Sequence, residues 1–195
     1  MAESRDQADD KKVSPWLDTV GVGILDTFRK SVSVAYHEAG HCVMAIACGF
    51  SVTRVSVTPS DVGRGHVEFL MPESMTEITR KKAALVFAAG AAGDYHAATQ
   101  HQHLEGEDSP NGHFDDQRRF HEVLQPLNIN AKFIHYIAFA NYILSAQWGP
   151  VDAIARKLVS EGVFNVDELP ALEIKPVSPK FVEALDEFAR RLPAD

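Results

Sequence analysis

AYHEAGHCV, residues 35–43, sets two imidazoles and a carboxylate into a segment otherwise built from small and apolar side chains. From Ser31 to Phe50 the only formally charged residue is Glu38. The run reads as a helix from about Ser33 to Cys48, apolar on most sides, with Gly49 at the position where a left-handed residue ends a helix. Residues four apart on a helix share a face, so His37 and His41 can reach one ion. Zinc accepts neutral imidazole nitrogen, and Glu38, beside the first ligand, can lean towards a water on the metal. This is the His-Glu-x-x-His arrangement, in which a glutamate general base deprotonates a zinc-bound water. The plainer alternative is a histidine pair hydrogen-bonded within a core. Burying a carboxylate and two polar rings unpaired is costly, however, and a divalent cation removes that cost.

Around this helix the chain reads as mainly α with one small β element (α+β). TRVSVTP and GRGHVEFLM alternate in the manner of two strands, with turn chemistry from Asp61, Gly63 and Gly65 between them, so a hairpin is expected. Ser74 and Glu77 have capping-box spacing and open a helix through about His103. Its middle, AAGAAG (88–93), has almost no side-chain bulk, which points to another helix lying close against it. Gly40 leaves room for the same approach. HFDDQRRFHEVL is a short helix stopped by Pro126. NAKFIHYIAFANYILSAQW is a further helix, expected to end at Gly149, with Pro150 opening the next. SPWLDTVGVGILDTFRK is a weaker helical stretch with two glycines. Ser178 and Pro179 start a last helix with Phe181, Leu185, Phe188 and Leu192 on one stripe, ended by Pro193.

Composition narrows the function. Of 195 residues, 45% are hydrophobic and 24% charged, as in ordinary globular chains; residues 1–12 read as a disordered tail and 13–195 as one domain. A net charge of −8 argues against nucleic-acid binding. FIHYIAFANYIL is too short and polar to span a membrane. The N-terminus has no signal-peptide core, and Cys42 and Cys48 read as buried free thiols, so a cytoplasmic location is expected. His101 and His103, with His96 nearby, read as incidental surface histidines.

A catalytic zinc usually has three protein ligands. No histidine lies between residues 42 and 50, and the next acid is Asp61 in the turn. The third ligand must come from further along, among Asp94, His113, Asp115, Asp116, His121 and Glu122. VAYHEAGH, the strand pair RVSVTPSDVGRGHVEFLMPE, the helix AAGAAGDY and the segment GHFDDQRRF together resemble the protease domain of the FtsH-type ATP-dependent zinc metalloproteases over about residues 31–160. That resemblance implies a helical, zincin-like peptidase domain. It carries the family's third ligand, an aspartate, onto Asp116, with Asp115 as the alternative and the other of the two as a helix N-cap. It places Asp94 where the family has a glutamate, one methylene longer, either behind the ligands or as an ordinary solvated helix acid; Ala91 replaces the family's arginine. The family's phosphate-binding loop is absent.

The expectation is therefore a zinc metallopeptidase. His37, His41 and Asp116 would hold Zn2+, Glu38 would act as general base, and Gly65, His66, Val67, Glu68 and Phe69 would align an extended substrate, as the resemblance implies. Substrates would be peptides or unfolded proteins. A separate ATPase, a dedicated protein partner and self-association are all compatible with the resemblance. The rival is a non-proteolytic binding or adaptor module that keeps zinc for stability.

Overall fold

The computed structural model describes residues 15–58, 65–100, 113–129, 131–169 and 171–191; for 15–30, 186 and 189–191 it describes the helical backbone alone. The tail 1–12, the turn residues Asp61 and Gly63, the loop 105–112, His101, His103, Leu192 and Pro193 lie outside the described residues.

The helix that carries AYHEAGHCV is α1, Pro15–Cys48, 34 residues without a break. The two stretches expected as separate helices are thus one. Gly21 and Gly23 weaken helix propensity, but extending an existing helix adds one hydrogen bond per residue fixed and needs no new nucleus. Gly49 ends α1 with φ +84°, and the Gly49 amide donates to Ile46 O.

Strands β1, Ser51–Ser56, and β2, His66–Leu70, form the expected antiparallel hairpin, with a bulge between Val52 and Arg54. A third strand, β3, Val163–Asn165, pairs antiparallel with the other side of β1. The order β2-β1-β3 leaves β2 at an edge. Three residues are too few to show a strand period, which is why β3 does not announce itself in the sequence. Phe69 of β2 packs on Phe50 and Phe87, joining the sheet to the helices.

Helix α2, Glu77–Gln100, is the centre of the domain: every residue from Ala83 to Gly93 is buried. A helix buried on all sides must be covered all round, and α1, α3 (Phe114–Leu124) and α4 (Phe133–Ser145) cover it. Its start differs in detail from the expected capping box. The Thr76 hydroxyl, not Ser74, accepts the Thr79 amide. Pro126 stops α3 as expected, and the chain passes through a 3-10 turn, Gln125–Leu127, to Asn128 in the left-handed region.

Gly149 does not end α4. That helix stops at Ser145, and Gly149 lies in the first turn of α5, Trp148–Glu161, with Pro150 one residue further in. Gln147 makes the junction, buried and accepting the Lys175 amide through its side-chain oxygen at 2.6 Å. In α6, Pro179–Arg191, Ser178 caps the Phe181 amide. Leu185 is buried, and Phe181 and Phe188 stack edge-on against Phe139, so that stripe is used mainly for packing. Among the described residues no helix is long and apolar enough to cross a membrane.

The α1–α2 contact is backbone against backbone. A Cβ on Gly40 would overlap Ala89 O, and one on Gly93 would stand 2.6 Å from Tyr36 O. Gly40→Ala and Gly93→Ala are each expected to destabilise the fold by about 1–3 kcal/mol, the overpacking range, despite alanine's better helix propensity. Gly149→Ala, whose Cβ meets nothing within 4 Å, is expected to be neutral or stabilising. Denaturant unfolding of the three variants checks this contrast; equal effects would remove the close-approach argument.

Candidate metal centre

His37 and His41 lie one turn apart on α1, facing α2 where Gly90 presents no side chain. Their outer nitrogens are both engaged. His37 Nδ1–H donates to Asp94 Oδ2 at 2.7 Å, and His41 Nδ1–H donates to the Val86 carbonyl at 2.7 Å. A neutral imidazole has one proton, so both Nε2 atoms are left as bare lone pairs. They face each other at 3.1 Å. Asp116 Oδ2 stands 3.1 Å from each of them.

With both rings neutral, three acceptors at the corners of a 3.1 Å triangle with no donor among them repel unless a cation, a proton included, joins them. Ligand atoms about 2.05 Å from a tetrahedral zinc are about 3.3 Å apart, so the triangle is close to the spacing that zinc requires. The space is kept by Gly90: a Cβ there would overlap Nε2 of both histidines. The donor set of two imidazoles and a carboxylate suits zinc and leaves a fourth position free. His37, His41 and Asp116 are therefore a group that could hold a metal ion.

Asp116 reaches the site because α3 is amphipathic. Asp116 shares its face with Phe120, four residues on, and Phe120 is buried against Phe133 and Tyr136. Asp115 points the other way. It is exposed and paired with Arg118 at 2.6 Å and Arg119 at 3.1 Å, so it neither joins the cluster nor caps α3, whose N-cap is His113. Glu122 pairs with Arg118 at 2.7 Å, and His121 borders a surface groove with Gln125 and Ile129. The spacing Asp116-x-x-x-Phe120 was the signal that separates the two aspartates.

Asp94 stands behind His37 and is not a free solvated acid; its bond sets the tautomer of that ring. Val86 O does the same for His41, and no side-chain pattern could have named a backbone carbonyl. His113 stacks on His37, with ring centroids 5.3 Å apart and planes at 13°.

Glu38 is buried at 5% exposure. Among the described residues it has no hydrogen-bond donor. A Cβ on Gly65 would come within 2.6 Å of Glu38 Oε1, so the start of β2 lies directly on this carboxylate. His66 follows, its Nε2 3.3 Å from Glu68 Oε1. Val67 pairs with Val55 and Phe69 with Val52 on β1, which leaves the other edge of β2 without a partner strand among the described residues. Cys42 and Cys48 are free and buried in the core.

The electrostatics follow from this crowding. Burial pushes the Glu38 carboxyl up, and the neighbouring histidines offset only part of the shift. Burial also opposes charge on His37 and His41, but the Asp94 and Asp116 carboxylates outweigh it, and both imidazoles are raised, His37 well above its usual range. Asp116 is held far below the ordinary carboxylate range: burial opposes this, and the two histidines overcome it.

Compared with models of known protein families and with curated protein sequences, the chain matches none.

Two outcomes are expected. Gly90→Ala should leave far-UV circular dichroism unchanged and weaken zinc binding by roughly 100-fold or more, beyond the cost of a lost outer partner; competition with a chromophoric chelator measures it, and an unchanged affinity would refute the cradle. The second concerns pH. In protein stripped of divalent ions, the raised histidines contribute stability fully below their ordinary 6.5, and this is lost as pH rises through their folded values. The depressed Asp116 contributes above 3.8, and its share is lost on acidification. Melting curves of stripped protein should therefore fall as pH rises above 6.5, while added zinc stabilises more strongly at the higher pH, where the ligands are free of protons. A flat profile for the stripped protein would contradict the cluster's geometry.

Proposed function

We propose that the chain is a zinc metallopeptidase of the FtsH-protease type, cleaving extended or unfolded polypeptide segments. One observation carries the reading. Glu38, a buried carboxylate without a donor among the described residues and with its proton affinity raised, sits next to three convergent lone pairs. Stability alone gives no reason to put a free carboxylate there; a general base must be placed so.

His37, His41 and Asp116 would hold the ion, with Asp94 and Val86 O fixing the two rings. A bound zinc supplies Lewis acidity, lowering the pKa of a water and polarising a carbonyl oxygen. Glu38 accepts the proton that the water gives up at a carboxylate oxygen. It then passes that proton to the amide nitrogen as the C–N bond breaks, so that hydroxyl ends on the acyl carbon and hydrogen on the amine. The outer edge of β2 has no partner strand among the described residues, and an extended chain can pair there as an added strand. Gly65 lets that strand approach the carboxylate. The free thiols of Cys42 and Cys48 suit a cytoplasmic setting.

Glu38→Gln should keep one equivalent of zinc and lose about 10²–10⁴-fold in hydrolysis of unfolded casein, the usual worth of a general base. Gly65→Ala should lower kcat with zinc affinity unchanged, because its Cβ displaces the base and not a ligand. Zinc bound by wild type without any cleavage would instead make the chain a zinc-stabilised binding module. Equal activity in wild type and Glu38→Gln would remove Glu38 as the base.

A further inference from the structure

We propose that Asp94 and His113 form a second, weaker site for a divalent transition-metal ion, beside the first and filled after it. Their placement on the far side of His37 carries the argument. His113 Nε2 stands 3.8 Å from Asp94 Oδ2. That is too long for a hydrogen bond, but two ligands at about 2.0–2.2 Å from one ion can stand up to about 4 Å apart. Asp94 and His113 are two of the three residues of a second group whose ligand atoms lie close together, His37 being the third.

Three further observations favour it. The His113 ring is held in place by stacking on His37, yet neither of its nitrogens has a hydrogen-bond partner among the described residues. A positioned imidazole whose Nε2 has no hydrogen bond among the described residues can offer that nitrogen to an ion. Charge points the same way: the Asp94 and Asp116 carboxylates both lie close enough to His113 to act on its charge. Access differs from the first centre as well. Side chains of Asp94 and His113 are 25% and 35% exposed, so water can complete the shell of an ion there. His37 Nδ1 donates its proton to Asp94 and is not needed as a ligand. With two protein ligands against three, and a neighbouring cation to repel it, this site binds more weakly than the first. It rests on the zinc reading of the first centre only for the order of filling.

The test is a calorimetric titration of zinc into the full chain already loaded with one equivalent. Wild type should take up a second equivalent at least about tenfold weaker than the first. His113→Phe keeps an aromatic ring to stack on His37 and removes the ligand; it should lose the second equivalent and hold the first within about twofold. His113→Ala repeats the test should the phenylalanine disturb the fold, which circular dichroism reads. Wild type saturating at one equivalent up to about 1 mM zinc would overturn the proposal. So would a second equivalent that survives in either folded variant, since it would then lie elsewhere, for instance at His101 and His103. The tight equivalent is counted separately, so its absence would sink the first centre without altering the count at the second.

Discussion

The structure depends on two helices that meet through their glycines. Gly40 of α1 lies on Ala89 O of α2, and Gly93 of α2 lies on Tyr36 O of α1. Any side chain at these positions would hold the helices apart. Because the backbones touch, the imidazoles of His37 and His41 reach Gly90, and their outer nitrogens reach Asp94 and Val86 O on the same helix. The cost in helix propensity of three glycines at roughly 1 kcal/mol each is offset by the burial of α2 from Ala83 to Gly93.

Once the outer nitrogens are spent, the inner ones of the neutral rings have no choice of role. Each Nε2 is an acceptor, and α3 delivers a third acceptor, Asp116, to the same point because Phe120 anchors that face of the helix in the core. The arrangement calls for a positive charge at its centre, which a proton on the raised histidines or a divalent ion could supply. Glu38 completes it from the other side, covered by the glycine that opens β2. The helix contact, the tautomers, the triangle of donor atoms and the buried Glu38 carboxylate are therefore steps in one chain of causes, each dependent on the one before.

Much of this was legible in the sequence, and the parts that were not share a physical reason. Side-chain patterns announced the histidine-bearing helix, the hairpin, the small-residue helix and its close partner. The histidine pair followed from i,i+4 spacing, while Asp116 came from a resemblance and could have been chosen from its spacing to Phe120. What stayed hidden was carried by backbone. Val86 O has no signature in sequence, and β3 is three residues long and exists only because β1 has a free edge. Thr76 displaced Ser74 as the cap, and Gly149 served a helix start and not an end, because neighbouring turns settle boundaries that propensity leaves open. Gly90 was visible as a small residue, but its use as the floor of the metal centre needed the two rings above it.

The most direct measurement is the anomalous scattering of a crystal of the full chain loaded with one equivalent of zinc, collected on either side of the zinc absorption edge. The account predicts one strong peak within bonding distance of His37 Nε2, His41 Nε2 and Asp116 Oδ2, with Glu38 beside its open face. A zinc peak placed elsewhere, or a triangle bridged by protons with no peak at all, would contradict it.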